Sequence, residues 1–183
     1  MHQKRFYAKY VGQLWHTDIH YLSKINNLQY YLIAFIDDCS RYVVHWEVVI
    51  DDKTYIASAL ALIHALGKSQ KPKTITIDNG GEFVGEEFQH VLDEKGIECF
   101  RTHPRTPEEN GKIERFWSTL EKARAAGRIL DIPYIDLIIT EYNNAWLHSS
   151  LKKQFHFPLT PLNAWNTMEH YNGQIDADIV YIE

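Results

Sequence analysis

The sequence contains little cysteine, no long apolar run and no excess of positive charge. Cys39 and Cys99 are the only cysteines among 183 residues, and neither belongs to a Cys-x-x-Cys pair. This argues against a disulfide framework or a structural zinc knuckle and favours a reducing compartment. The longest apolar run, Tyr30 to Ile36, is far too short to span a membrane, and the residues after Met1 do not resemble a secretory signal. We therefore expect an intracellular protein with no membrane partner, located in the nucleus of a eukaryotic host or in the cytoplasm of a bacterial one.

Acidic residues outnumber basic ones. The formal net charge is −5 at pH 7, which argues against a DNA-binding surface spread over the whole protein. Basic residues are nevertheless concentrated in one segment, where seven of them stand against four acids: Arg101, Arg105, Lys112, Arg115, Lys122, Arg124 and Arg128, against Glu108, Glu109, Glu114 and Glu121. This local excess is compatible with a nucleic-acid contact confined to that segment.

Hydrophobic periodicity predicts an α/β fold. Strands are predicted at 14–22, 29–37, 42–50, 74–77 and 97–102, and the first three form an antiparallel meander. Helical spacing of apolar residues predicts helices at 54–66, 86–95, after Gly111, after Asp131 and from Pro161 to Trp165. In the first helix the apolar face is expected to comprise Tyr55, Ile56, Ala59, Leu60, Ile63 and Leu66, with Gly67 as the C-cap. A right-handed crossover through that helix places the fourth strand parallel to the first.

Three acidic residues stand at positions suited to a shared site. Asp18 lies in the first strand, and Asp78 directly follows the buried run Thr74-Ile-Thr-Ile and precedes Asn79-Gly-Gly. Glu114 lies in the first turn of the helix that follows Asn110-Gly111, where the helix dipole favours a carboxylate. Carboxylates that converge cannot all stay ionised without a compensating charge, and oxygen-only ligands suit Mg²⁺ or Mn²⁺. The spacing alone therefore predicts metal-dependent phosphoryl transfer.

The three acidic segments resemble those of the retroviral integrase and DDE transposase catalytic core. The matching residues are Trp15-His-Thr-Asp18, Ile77-Asp-Asn-Gly-Gly-Glu-Phe83 and Asn110-Gly-Lys-Ile-Glu-Arg-Phe116, and the similarity extends over roughly 12–166. It implies a ribonuclease-H-like fold, with a five-stranded mixed sheet of three antiparallel and two parallel strands flanked by helices. On this basis 1–11 is an N-terminal tether, 12–166 the catalytic core and 167–183 a C-terminal tail.

The resemblance also implies a reaction. Asp18, Asp78 and Glu114 would be catalytic and would hold two Mg²⁺ or Mn²⁺ ions, with Asp18 bridging both. Water would cleave the DNA end first, and the freed 3′-hydroxyl would then attack a phosphate of the target DNA. The partners implied are double-stranded DNA, both element ends and target, and a second copy of the chain in a homodimer or higher oligomer.

Two other interpretations are weighed beside this one. A cellular nuclease of the ribonuclease H type usually carries a further acid on the first crossover helix, and 54–66 contains none. A domesticated, inactive fold kept for DNA binding or assembly would not need all three acids. The integrase family commonly has basic residues one and two turns after the helix glutamate, whereas this chain has Ser118 and Glu121 there.

Further residues are candidates for DNA contact or for structural roles. His103, Asn110, Lys112 and Arg115 are candidate DNA contacts around the loop and the start of the helix. His16 and His20 alternate with Asp18 along one strand, too far apart to chelate one zinc ion easily, and are expected to face solvent or a cleft. Asp37, Asp38 and Arg41 are interpreted as a hairpin turn with an ion pair.

Overall fold

A five-stranded mixed sheet forms the centre of the protein. The structure is a computed structural model that describes residues 5–103, 109–155, 158–173 and 180–182. Its strands are β1 (Arg5–Tyr7), β2 (Leu14–Ile25), β3 (Leu28–Asp37), β4 (Val43–Ile50), β5 (Thr74–Ile77), β6 (Glu98–Arg101) and β7 (Val180–Ile182). Its helices are α1 (Tyr55–Lys68), α2 (Gly81–Val84), α3 (Glu86–Lys95), α4 (Gly111–Ala125), α5 (Ile132–Asn144), α6 (Ser149–Phe155) and α7 (Pro161–Thr167).

The strand order of the central sheet is β4-β3-β2-β5-β6. The pairs β4-β3 and β3-β2 are antiparallel, while β2-β5 and β5-β6 are parallel. This confirms the predicted ribonuclease-H-like arrangement, in which the crossover through α1 returns the chain beside β2. Strand β5 is buried along its whole length, as its β-branched residues predict.

Two apolar layers hold helices on the two faces of the sheet. On one face, α1, α2 and α3 cover a core that includes Trp15, Phe35 and Ile75. On the other face, α4 and α5 cover a core that includes Ala34 and Phe116. Helix α3 ends as predicted, because Gly96 adopts a left-handed conformation at φ 60° and its N–H bonds the carbonyls of the last turn.

Helix α1 buries a face that only partly overlaps the predicted one. Ala59 is buried as predicted and Leu66 is half-buried, whereas Leu60 and Ile63 are exposed. Most of the other buried residues are small, which allows the helix to approach the sheet and α3 closely; they are Ala57, Ser58, Ala61, Leu62 and Ala65. The helix also continues through Gly67 and ends at Lys68, and Gly67 is therefore not its cap.

The ends of the chain carry secondary structure that the sequence analysis missed. Strands β1 and β7 pair with each other antiparallel, and both lie in the segments predicted as tether and tail. Val11 is fully buried, and it forms an isolated parallel bridge with His170. The assignment of 12–166 as the catalytic core remains a prediction, but described parts of the N-terminal and C-terminal segments pair with each other, and Val11 packs on the core. Within the part of the chain that the structure describes, no helix is long and apolar enough to cross a membrane.

Candidate active site

Asp18 and Asp78 occupy neighbouring positions on two parallel strands. The β2-β5 register pairs Leu14 with Thr74 and His16 with Thr76, and the same offset carries Asp18 opposite position 78, directly after the end of β5. Asp78 is close enough to Asp18 to raise its pKa by charge repulsion. The predicted meeting of these two acids is therefore present in the structure.

The pKa of Asp18 is raised from 3.8 to about 6. Burial is the largest cause, and the negative charges of Asp78 and Glu82 add to it. Two hydrogen bonds act in the opposite direction: the Trp117 indole N–H donates to Oδ2 at 2.8 Å and the Ile19 backbone N–H donates to Oδ1 at 2.8 Å. The same two bonds fix the orientation of the carboxylate.

Helix α4 is held against this site through its apolar face. Ile113, Phe116 and Trp117 are buried on the sheet, and Trp117 reaches Asp18 with its indole nitrogen. Glu114 lies three residues before Trp117, in the first turn of the helix, and is exposed. The structure thus places the helix that carries Glu114 beside Asp18, as predicted.

The three carboxylates do not close around a single point. In the described residues, the group of three His, Cys, Asp or Glu side chains whose ligand atoms all lie within 4.8 Å of one another is His45, Glu47 and His64. Asp18, Asp78 and Glu114 form no such group. In His45–Glu47–His64, Glu47 Oε1 lies 2.7 Å from His45 Nε2 and 2.5 Å from His64 Nδ1, so hydrogen bonds account for that cluster.

Two charged residues beside the acids were missed by the sequence analysis. Glu82 is 9% exposed on the short helix α2, and the Lys53 ammonium lies 2.8 Å from its carboxylate. The hydrogen bond to Glu82 is the largest cause that raises the pKa of Lys53, and the charges of Asp78 and Asp18 contribute as well. Glu82 belongs to the quoted Ile77-to-Phe83 motif, which was the available signal, whereas nothing in the sequence around Lys53 indicates this contact.

The alternating histidines of β2 have separate partners. His16 is buried, and its Nε2 lies 2.6 Å from Asp38 Oδ1, so the expectation that it faces solvent or a cleft is wrong. The His20 ring stacks on Trp117 with 4.9 Å between ring centres, and its Nε2 lies 2.7 Å from a carboxylate oxygen of Glu121. They do not form a shared zinc site with Asp18.

The turn after β3 is a buried polar cluster, and its ion pair differs from the predicted one. Asp38 is fully buried and forms an ion pair with Lys112 of α4 and a hydrogen bond with His16 Nε2, instead of pairing with Arg41. Burial alone would raise the pKa of Asp38, but the charge of Lys112 and the hydrogen bond to His16 outweigh it and lower that pKa strongly. The cluster joins β2, β3 and α4 because residues distant in sequence share one carboxylate.

The four candidate DNA contacts have different surroundings. The exposed His103 ring lies 3.0 Å from the Glu109 carboxylate through Nδ1. Asn110 is 9% exposed, and its carboxamide oxygen is buried and accepts no hydrogen bond from the described residues. Lys112 is paired with Asp38, while Arg115 is exposed. The loop positions 104–108 lie outside the described residues.

The sheet order and the helices on both faces define the ribonuclease-H-like fold of integrase catalytic cores, and Asp18 of β2 and Asp78 directly after the end of β5 lie side by side in it. A family model described as Integrase core domain matches 8–107, and a second model of the same description matches 95–154. The chain belongs to the integrase core domain family.

Two relatives in sequence are retrovirus-related Pol polyproteins from plant transposons. The chain is 35% identical over 107 residues to the retrovirus-related Pol polyprotein from transposon TNT 1-94 of Nicotiana tabacum, a match covering 56% of this chain and 8% of that protein. It is 34% identical over 94 residues to the Pol polyprotein from transposon RE2 of Arabidopsis thaliana, covering 50% and 6%. The chain therefore spans less than a tenth of the length of these relatives.

Solved structures share the fold. The simian T-cell lymphotropic virus intasome in complex with the PP2A regulatory subunit B56 gamma aligns with a TM-score of 0.73 at 19% identity, covering 97% of this chain and 66% of that one. The HTLV-2 integrase catalytic core domain in complex with magnesium, in its dimeric form, aligns with a TM-score of 0.64 at 20% identity, covering 85% and 97%.

Proposed function

We propose that the chain is a metal-dependent polynucleotidyl transferase that cleaves the DNA ends of a mobile element and joins the 3′-hydroxyl to target DNA. The observation that carries this proposal is the placement of Asp18 opposite position 78, with α4 held against Asp18 by the Trp117 hydrogen bond. The chain's retrotransposon relatives and the magnesium-bound HTLV-2 core support it.

The donor set fits a hard divalent cation. Asp18, Asp78 and Glu114 offer only oxygen ligands. A cation would favour the ionised form of Asp18, whose pKa is raised first by burial and then by the negative charges of Asp78 and Glu82. These three residues would hold Mg²⁺ or Mn²⁺, and two ions in the site would activate the attacking oxygen and stabilise the leaving oxygen.

The protein's own contribution is orientation. Trp117 and the Ile19 backbone fix Asp18, and the Gly80 backbone N–H donates to Asp78 Oδ1 at 2.8 Å. Carboxylates held in this way need little rearrangement when a cation arrives. Lys53 and Glu82 form a further ion pair at the edge of the site.

The sequence of α1 argues against a ribonuclease-H-type nuclease, since 55–68 contains none of the acidic residues that such nucleases usually carry on this helix.

The proposed activity is tested by nicking of supercoiled plasmid in Mn²⁺. We expect the chain to nick plasmid and Asp78→Asn to abolish nicking, because the variant loses one of the three ligands. An exposed aspartate of α5 gives the control Asp136→Asn, which should keep full activity. Unchanged nicking in Asp78→Asn would contradict the proposal.

A homodimer is the second part of the proposal. Helix α1 exposes an apolar stripe one helical turn apart, with Ile56 50%, Leu60 49% and Ile63 46% exposed. A second copy of the chain is the proposed occupant, in line with the dimeric HTLV-2 core.

Leu60→Glu should give a monomer in sedimentation equilibrium, because it places a charge in the interface. Ile25→Glu, on the exposed β2-β3 hairpin, is the matched control and should remain dimeric. A dimer in both variants would exclude this stripe.

A further inference from the structure

A basic cavity lies beside α4, away from the acidic site. It has a volume of about 370 Å³, and its walls include Arg41, Lys112, Arg115, Tyr142 and His148. Gly111, the first residue of α4, also contributes to it. No part of the described cavity wall carries a carboxylate.

The cavity and the acids are on different flanks of α4. Trp117 and Glu121 contact Asp18 and His20 of β2, on the flank that also carries Glu114. On the other flank, Lys112 contacts Asp38. One helix therefore separates an acidic site from a basic one.

The positive charge in the cavity exceeds what its neighbours neutralise. Lys112 is neutralised by Asp38, which also pairs with His16. Arg41 is 8% exposed, and among the described residues its guanidinium donates one hydrogen bond, to the Cys39 carbonyl at 3.4 Å. Within the described residues, Arg115 forms no ion pair.

Neutral groups of the cavity are also short of partners. His148 Nε2 is buried and has no hydrogen-bond partner among the described residues. The His148 ring packs edge-on against Tyr142, with 4.6 Å between ring centres. Burial, followed by the charges of Arg41 and Arg115, lowers the pKa of His148 to about 4. The imidazole is therefore neutral at physiological pH, and its Nε2 can donate a hydrogen bond when that nitrogen carries the proton.

We propose that this cavity binds a backbone phosphate of the DNA that the integrase core acts on, an inference that rests on the proposed function. Guanidinium groups match the geometry of phosphate oxygens, and Arg41 and Arg115 line one cavity. His148 Nε2 and the start of α4 supply neutral donors. A phosphate here would fix how the duplex crosses α4 while Glu114, on the other flank, stays beside the acidic site.

The experiment compares Arg115→Ala with Arg128→Ala, which removes the same charge from an exposed position outside the cavity. Duplex affinity is measured by fluorescence anisotropy across a series of salt concentrations. We expect Arg115→Ala to weaken binding about fivefold at low salt and to reduce the slope of log affinity against log salt by about 1, as for loss of one phosphate contact. Arg128→Ala should match the parent chain.

A second measurement separates DNA from free anions. Inorganic phosphate should raise the melting temperature of the parent chain and of Arg128→Ala, but not that of Arg115→Ala. If phosphate behaves in this way while duplex affinity is equal in the two variants, the cavity is a site for free anions and the DNA assignment is wrong. If neither measurement distinguishes the variants, the cavity binds no phosphate.

Plasmid nicking by the same preparations keeps the two proposals distinct. Nicking by the parent chain together with equal duplex affinity in both variants overturns the phosphate site alone. Loss of duplex affinity in Arg115→Ala from a parent chain that does not nick overturns the catalytic proposal and leaves the DNA contact supported.

Discussion

Replacing Asp18 by asparagine should make the metal-free protein more stable at pH 8 and less stable at pH 4. The pKa of Asp18 is about 6 in the fold against 3.8 as its ordinary value. The folded state therefore holds the proton more tightly, and stability falls as pH rises from about 4 to about 6. Each pKa unit corresponds to about 1.4 kcal/mol, so the ionised carboxylate lowers stability by about 3 kcal/mol above pH 6.

Asparagine removes that penalty but also removes one acceptor. Trp117 and the Ile19 backbone N–H each donate to a different oxygen of Asp18, and an amide has one oxygen. The unmatched donor costs about 1 to 2 kcal/mol. The difference between the two opposing terms is a gain of about 1 to 2 kcal/mol at pH 8. Near pH 4 little penalty remains to be relieved, so the variant should be destabilised by a similar amount.

Urea denaturation in EDTA at both pH values measures this directly. The control is Asp136→Asn, an exposed site whose replacement should change the free energy of unfolding little. Added Mg²⁺ or Mn²⁺ should stabilise the parent chain at pH 8 and have little effect on Asp18→Asn. An Asp18→Asn effect that is independent of pH would refute the assignment of a buried carboxylate with a raised pKa.

Two further substitutions test the packing around the site. Asp38→Asn should destabilise the fold by about 3 kcal/mol, because the Lys112 ammonium would remain partly buried without its counter-charge. Chemical denaturation measures the loss of stability. A change in the free energy of unfolding of less than about 1 kcal/mol would contradict the ion pair. Gly96→Ala should lower the free energy of unfolding by about 1 kcal/mol, because Gly96 has φ 60°, where a Cβ is unfavourable. A Tm equal to that of the parent chain would contradict the left-handed cap. The control is Gly67→Ala within α1, which should be neutral or stabilising.

The sequence predicts best those elements whose pattern depends on a single environment. Strand β5 is buried on both sides and reads as a continuous β-branched run, so its bounds and the position of Asp78 follow from composition alone. The cap of α3 follows from a local rule about glycine. In both cases the physical cause lies within a few residues of the observed effect.

The buried face of a helix is predicted poorly when more than one of its faces is apolar. In α1 the large aliphatic residues satisfy helical periodicity as well as the alanines do, and periodicity cannot tell a face packed on the sheet from a face left for another molecule. Close packing against β4 and α3 decides in favour of Ala57, Ala61 and Ala65. Exposure of Leu60 and Ile63 is then a property of the tertiary structure, and it is the basis of the proposed dimer.

Contacts of the candidate site itself depend on long-range pairs. Asp38 and Lys112 are 74 residues apart, and Asp18 and Trp117 are 99 apart, so neither contact follows from local spacing. Both contacts are made by α4, and they come from opposite flanks of that helix. One flank brings the Trp117 indole donor to Asp18 and carries the exposed Glu114, and the other places Lys112 on the buried Asp38. Because the two contacts fix the same helix, a change at Asp38 should also disturb the position of Glu114, although the two lie on different flanks.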